Sequence, residues 1–241
     1  MFVRTEFPRP MLLLVLLLVA TCCSGASYGQ TLPIPANFVE FIDNPYFPLP
    51  PGTTFIYSGP TAEEGPQLLQ ITVTHQKKMI LGVNTTVVIE TLNKDGILNE
   101  VSTNWFAQDK WGNVWYFGEA SKLYQDGQVY STEGSWEAGV DGAQPGVIME
   151  GRPRIGDFYN QEIAPGVAQD QALVLSLNNH IKVPYGNFNK CLLTKESSPL
   201  DPGLFEYKYY ARGIGFILGI DTDGLPLKLF DVISSDDRMI H

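Results

Sequence analysis

Beyond residue 52 the chain alternates. Leu69, Ile71 and Val73 are interleaved with Gln70, Thr72 and Thr74, the two-residue period of a strand with one buried face. The β-branched and aromatic run 53–58 and the segments 85–91 and 97–106 read the same way. Further strands are predicted at 157–163, 171–177, 188–195, 204–211, 214–220 and 225–233. Asp95-Gly96, Asp126-Gly127 and Asp223-Gly224 each separate two such runs. Asp-Gly suits a two-residue hairpin turn, whose central residues both take positive φ. Residues 109–113 read as a longer hairpin loop. No long amphipathic helix and no internal repeat interrupts this pattern. The prediction is an all-β fold, an antiparallel meander. So many strands must roll into a partly open barrel or split into a two-layer sheet to hide an apolar face.

Two segments break the alternation. Residues 30–52 contain Pro33, Pro35, Pro45, Pro48, Pro50 and Pro51 and read as an extended arm, with room for one helical turn at 36–43. Residues 134–156 are rich in glycine and carry Glu137 and Asp141. Long segments of this kind in compact domains are usually functional, and this one is expected to cover an opening of the barrel.

The N-terminus has a different pattern. Arg4 and Arg9 precede an unbroken apolar run, 11–20, and small residues follow at Ser24, Gly25, Ala26 and Gly29. A basic start, a short apolar core and small residues describe a cleavable signal peptide over residues 1–29. The core is shorter than the ~20 residues of a spanning helix. Cleavage after Ala26 and after Gly29 both fit. The mature chain is then a 30–52 arm and a single β-rich domain, 53–241, secreted to the extracellular space. Val19-Ala20-Thr21-Cys22 offers the alternative of a lipid-anchored protein.

The net charge is −10, with 26 acidic against 16 basic residues. Arg4, Arg9 and Glu6 leave with the signal peptide, so the mature chain is one unit more negative. Such a chain lacks the basic footprint of nucleic-acid or anionic-membrane binding. Cys22 and Cys23 also leave, and Cys191 then has no intramolecular partner. Its run of neighbours, Phe188, Leu192 and Leu193, points to a buried free thiol. The oligomeric state is left open.

Chemical motifs are few. His75, His180 and His241 lack zinc-ligand spacing to one another or to cysteine, so no metal is expected. There is no Gly-x-Ser-x-Gly elbow and no phosphate-binding loop, and no cofactor is expected. Asn84-Thr85-Thr86 is a glycosylation acceptor in a eukaryotic host. The densest feature is aromatic and acidic. Trp115, Tyr116 and Glu119 lie on one strand, Trp136, Glu137 and Asp141 in the Gly-rich segment, and Tyr209 on a late strand beside Glu206. Only a rolled sheet with a returning segment could bring these together, and they are the candidate wall of a ligand cavity. The competing reading makes them core and turn residues, since aromatics are ordinary core material.

Several stretches carry a resemblance. They are 44–57 (NPYFPLPPGTTFIY), 107–109 with 112–119 (AQD, GNVWYFGE), 134–143 (GSWEAGVDGA) and 208–211 with 213–215 (KYYA, GIG). Together they resemble a group of secreted bacterial proteins of uncharacterised function, over roughly residues 44–217. The resemblance implies an exported protein and supplies no reaction. The strand order is also reminiscent of half-barrel carriers of the lipoprotein-localisation type. Three functions remain open at this level. The first is a secreted, non-enzymatic module binding a small or lipid-like ligand. The second is a hydrolase or isomerase using carboxylates in the same cavity. The third is a structural or adhesive extracellular protein.

Overall fold

Strands form where the alternation predicts them, and most run longer. The computed structural model describes residues 33–62 and 65–234. The expected signal peptide lies outside the described residues. The arm makes one turn of 3-10 helix at Pro35–Asn37 and a two-residue strand, β1 (Phe38–Val39). A meander follows: β2 (Thr53–Gly59), β3 (Gln67–Ile80), β4 (Val83–Lys94), β5 (Ile97–Asp109), β6 (Val114–Gln125) and β7 (Gln128–Ser131). The second half contains β8 (Trp136–Glu137), β9 (Gln144–Met149), β10 (Phe158–Asn160), β11 (Glu162–Ile163), β12 (Gln171–Val183), β13 (Gly186–Ser197), β14 (Glu206–Ala211), β15 (Gly215–Ile220) and β16 (Pro226–Ser234).

Two of the three expected Asp-Gly hairpins have the predicted backbone. Asp95 and Gly96 sit at φ 49° and 76°, and Asp126 and Gly127 at 52° and 74°, the signature of a type I′ turn. Leu81-Gly82 makes the same turn at 50° and 77° without the usual Asn or Asp. At the third Asp-Gly only Gly224 has positive φ. There the Asp221 carboxylate accepts the N–H groups of Asp223 and Leu225 at 3.0 and 2.8 Å, so a side chain organises the turn.

All pairings are antiparallel, in the order β10-β12-β13-β14-β15-β16-β2-β3-β4-β5-β6-β9-β11. The two ends of this order are one piece of chain. Residues 158–160 pair with β12, Tyr159 opposite Ala172. After Gln161 the same segment changes partner and pairs with β9, Glu162 opposite Pro145. The sheet is thereby a nearly closed barrel. The Gly-rich segment does its covering as part of the wall, because β8 and β9 both pair with β6.

The proline-rich arm crosses one end of the barrel. Asn44 anchors it: the side-chain N–H groups donate to the carbonyls of Gly112 and Glu150 at 2.7 and 3.0 Å. Its side-chain oxygen accepts from the N–H groups of Tyr46 and Phe47. Further along, Gly213 N–H donates to the Pro45 carbonyl at 2.7 Å, and the Arg212 guanidinium donates to the Tyr46 hydroxyl at 3.1 Å. A buried asparagine with its donors and acceptor satisfied holds one backbone geometry. Phe38 packs edge-on against Trp115 and Phe117, so the arm also covers the outer face of β5 and β6. This explains why the adjoining ends of those strands, near residues 104–109 and 114–118, are covered on both faces. Cys191, on β13, is unpaired and fully buried.

Candidate functional site

The barrel is not packed solid. A chamber of about 310 Å³ lies inside it, lined by both apolar and acidic side chains. The arm supplies the floor with Phe47, Pro48 and Leu49, and Phe106, Ile214 and Phe216 extend this apolar surface. The remaining wall is rich in carboxylates: Glu90, Glu119, Glu162, Asp170, Glu196 and Glu206. Lys208 is the one basic side chain among the lining residues.

Cross-strand register places these groups. Ile71, Glu90 and Ser102 are directly opposite one another on β3, β4 and β5. The next inward row runs Val73, Val88, Asn104, Glu119 and Trp136 from β3 to β8. Across the barrel, Glu206, Lys208 and Tyr210 alternate inward along β14, with Thr194 and Glu196 facing them from β13.

Glu119 reaches the chamber through an irregularity. It lies three residues after Tyr116, and strict alternation would put the two on opposite faces. The register between β5 and β6 slips at Trp105/Phe106, opposite Gly118 and Tyr116. This β-bulge re-aims the strand. Gly118 sits there at φ 138°, and a Cβ on it would lie 2.4 Å from the Trp136 carbonyl oxygen. Only glycine lets β8 approach so closely.

The acids fall into two electrostatic classes. Glu196 accepts hydrogen bonds from Thr194 at 2.9 Å and Tyr210 at 2.8 Å, and pairs with the Lys208 ammonium at 2.9 Å. Burial pushes its pKa up, but the Lys208 charge and these hydrogen bonds more than reverse it, and the group stays ionised. Burial pulls Lys208 down, yet Glu196 and Glu206 hold it well above the ordinary lysine range. The other wall is the opposite case. Burial, with Glu119 nearby, raises Glu90 to about 7. Burial, then the charges of Asp170 and Glu119, raise Glu162 to about 8. The Asp170 N–H and the Trp136 indole pull Glu162 the other way, although the indole Nε1 has no partner at hydrogen-bonding geometry. Burial raises Glu119 as well. The Tyr116 hydroxyl has one proton and donates it to the Asn104 side-chain oxygen in a short hydrogen bond. It also lies 3.4 Å from the Glu119 carboxylate, a contact that pulls Glu119 back towards the ionised form against the larger effect of burial.

Two buried donors lining the chamber have no partner: Asn104 Nδ2 and Gln161 Nε2. Among the described residues, no group of three or more His, Cys, Asp or Glu side chains is gathered to hold a metal ion.

Of the seven residues grouped from the sequence, Tyr116 and Glu119 line the chamber. Trp136 stands behind them, buried edge-on against Tyr116 with centroids 5.3 Å apart. The other four lie elsewhere. Trp115 faces the arm and donates its indole N–H to Asp109 at 2.9 Å. Glu137 forms an outer ion pair with Lys78 at 2.7 Å. Asp141 sits exposed in a turn at φ 50°. Tyr209 is out of phase with the inward Lys208 and Tyr210, and the strand period forces it to the outer face. Asn84 is exposed at the start of β4. Sequence reasoning passed over Glu90, Glu162, Asp170, Glu196 and Lys208. A signal was present: Glu90 continues the phase of the buried Val88, and Glu196 that of Leu192 and Thr194. A charge in phase with buried positions marks a lined interior or a buried pair.

No family model matches the chain, and no curated protein matches its sequence. Among solved structures, it is similar to a candidate exported protein of Bacteroides fragilis with a YmcC-like fold. Identity is 14%, the TM-score is 0.46, and the match covers 78% of this chain and 99% of the other. It is also similar to a candidate lipoprotein of Parabacteroides distasonis, with 10% identity and a TM-score of 0.42, over 78% of this chain and 98% of the other. Both likenesses concern architecture, at identities that carry no residue-by-residue correspondence.

Proposed function

We propose that this is an exported, non-enzymatic binding protein that holds a small, partly apolar molecule inside its barrel. The chamber carries this reading: about 310 Å³ lined mainly by apolar side chains with a few polar groups among them, the usual form of a small-molecule site. The arm supports it. Phe47, Pro48 and Leu49 shape the floor, and Asn44 fixes them through four hydrogen bonds, so the cavity is preorganised. Tyr116, Glu119, Asn104 and Gln161 are the polar contacts we assign to the ligand, with Trp136 bracing Tyr116. Export rests on the N-terminal pattern of residues 1–29, and N-terminal sequencing of secreted material is expected to start between Ser27 and Gln30.

Binding is tested with the neutral fluorescent dye N-phenylnaphthylamine. It is expected to bind one-to-one with a rise in emission. Ile71→Trp, which fills the chamber from β3, is expected to abolish that rise while the circular dichroism of the barrel is retained. Binding that survives Ile71→Trp would place the dye elsewhere and overturn the reading. An enzyme has one observation in its favour. Glu162, raised to about 8 beside Glu119 and Asp170, has the profile of a general acid next to other carboxylates. Hydrolysis of a chromogenic glycoside, lost in Glu162→Gln, would establish that alternative.

A further inference from the structure

Four acids of the chamber wall have no cation. Among the described residues, no basic side chain lies within ion-pair distance of Glu90, Glu119, Glu162 or Asp170. Lys208 is already engaged by Glu196 at 2.9 Å and Glu206 at 3.4 Å. Asp170 is exposed at the rim, while Glu90, Glu119 and Glu162 are half-buried; unpaired carboxylates so placed are costly, and a barrel needing only a filled core would carry leucine or valine at those three positions. The same wall holds a second, independent feature. Asn104 and Gln161 are 3% and 2% exposed, line the chamber, and leave Nδ2 and Nε2 without an acceptor. Buried amide donors are nearly always satisfied, so an acceptor is missing from this wall.

Resting on the reading that the chamber binds a small molecule, we propose that its ligand is a cationic amphiphile, with a protonated amine among Glu90, Glu119, Glu162 and Asp170, a hydrogen-bond acceptor beside the amine for Asn104 and Gln161, and a short apolar tail on the arm. An ammonium supplies donors to carboxylates and has no acceptor, which is why the orphaned amides require a second group on the ligand. The apolar side chains contributed by the arm, Phe47, Pro48 and Leu49, with Phe106 and Ile214, suit a hydrocarbon. The approach to the chamber has the same sign. A neighbouring concavity shares Asp170, Glu196, Glu206 and Lys208 with it and adds Asp201, Asp221 and Asp223 at the surface. A mouth of acids on a chain of net charge −10 draws cations inward and repels fatty-acid anions.

Matched eight-carbon probes test the proposal by displacement of N-phenylnaphthylamine from the mature protein: octylamine, octanol, octanoate and the amino alcohol bearing a hydroxyl on the carbon next to the amine-bearing carbon. Octylamine is expected to bind at least about tenfold tighter than octanol, the gain of a charge-assisted hydrogen bond, and octanoate weaker than octanol. The amino alcohol is expected to exceed octylamine by a further factor of about three or more. In Glu119→Gln with Glu162→Gln, the octylamine-to-octanol ratio is expected to fall towards one. Equal binding of octylamine and octanol, or tighter octanoate, would overturn the cation assignment and leave the binding chamber standing. Equal binding of octylamine and the amino alcohol would overturn the acceptor. Failure of the dye itself to bind would instead defeat the chamber reading on which this one rests.

Discussion

Two walls of one barrel treat the same side chain in opposite ways. On β13 and β14, Glu196 and Glu206 share Lys208, and Glu196 stays ionised although buried. On β4, β6 and β11, Glu90, Glu119 and Glu162 are half-buried, have no such partner, and shift towards the neutral acid. Glu196 is the more deeply buried, and yet it is the one that stays ionised. The difference is one ammonium and the hydroxyls of Thr194 and Tyr210. The first wall is a closed electrostatic unit; the second is left open, and it is the wall to which the proposed ligand is assigned.

Breaking the closed unit is expected to have the largest effect. Lys208→Met leaves Glu196 buried and unpaired, and is expected to cost about 3 kcal/mol, the lower part of the range for such pairs, because the Lys208 side chain is 30% exposed. Urea denaturation measures this. Adding Glu196→Gln to Lys208→Met should recover much of the loss, and no recovery would show that Lys208 acts by packing alone.

Titration sharpens the comparison next. A folded pKa above the unfolded value means that the native state holds the proton more tightly, so the stability it contributes is present below the unfolded pKa and is lost as pH rises through the folded one. For Glu90 the window runs from about 4.5 to about 7, and for Glu162 from about 4.5 to about 8. Glu100, Glu119 and Asp170 add repulsion across it, and Lys208 partly offsets this at Glu90. The ligand-free protein is expected to lose on the order of 3 kcal/mol from Glu90 across its window. Glu196 behaves in the reverse sense: its depressed pKa contributes stability above the unfolded value that is lost as pH falls. Thermal melts from pH 4 to 9 should show the alkaline loss flattening in Glu90→Gln with Glu162→Gln. A slope unchanged by these substitutions would place the titrating groups elsewhere.

The smallest effect is expected on the outer surface. Lys78 and Glu137 pair at 2.7 Å, closer than Lys208 and Glu196, but each side chain is 35% exposed. Glu137→Gln is expected to cost no more than about 0.5 kcal/mol and to lose even that in high salt. A larger penalty would mean that solvent screens this pair less than its exposure implies.

Much of the wall was legible from the period-two pattern, because one inward face and one outward face leave a plain trace in sequence. The strand set, the meander and the Asp95-Gly96 and Asp126-Gly127 turns follow from it. The site was legible only in part. Tyr116 and Glu119 share the chamber only because of the bulge at Gly118, whose effect on strand phase the period-two pattern does not foresee. Trp115, Glu137 and Tyr209 were grouped with them by composition, and strand phase sends Trp115 and Tyr209 outward. The floor was not legible, since a proline-rich arm carries no period to say what it touches. The pairing of Lys208 with Glu196 was equally hidden, because register between distant strands is a property of the closed barrel.

The segment that changes partner at Gln161 bears on the order in which the molecule is assembled. Most strands pair with a sequence neighbour, so the meander can zip up through short loops. Residues 158–163 need two templates at once, β12 on one side and β9 on the other. They can dock only when both halves are already in place. Closing the cylinder is therefore a late, single event that fixes Gln161 and Glu162, and until it happens the polar wall of the chamber does not exist. Refolding should show early gain of strand signal and a slower phase in which the capacity to bind dye appears.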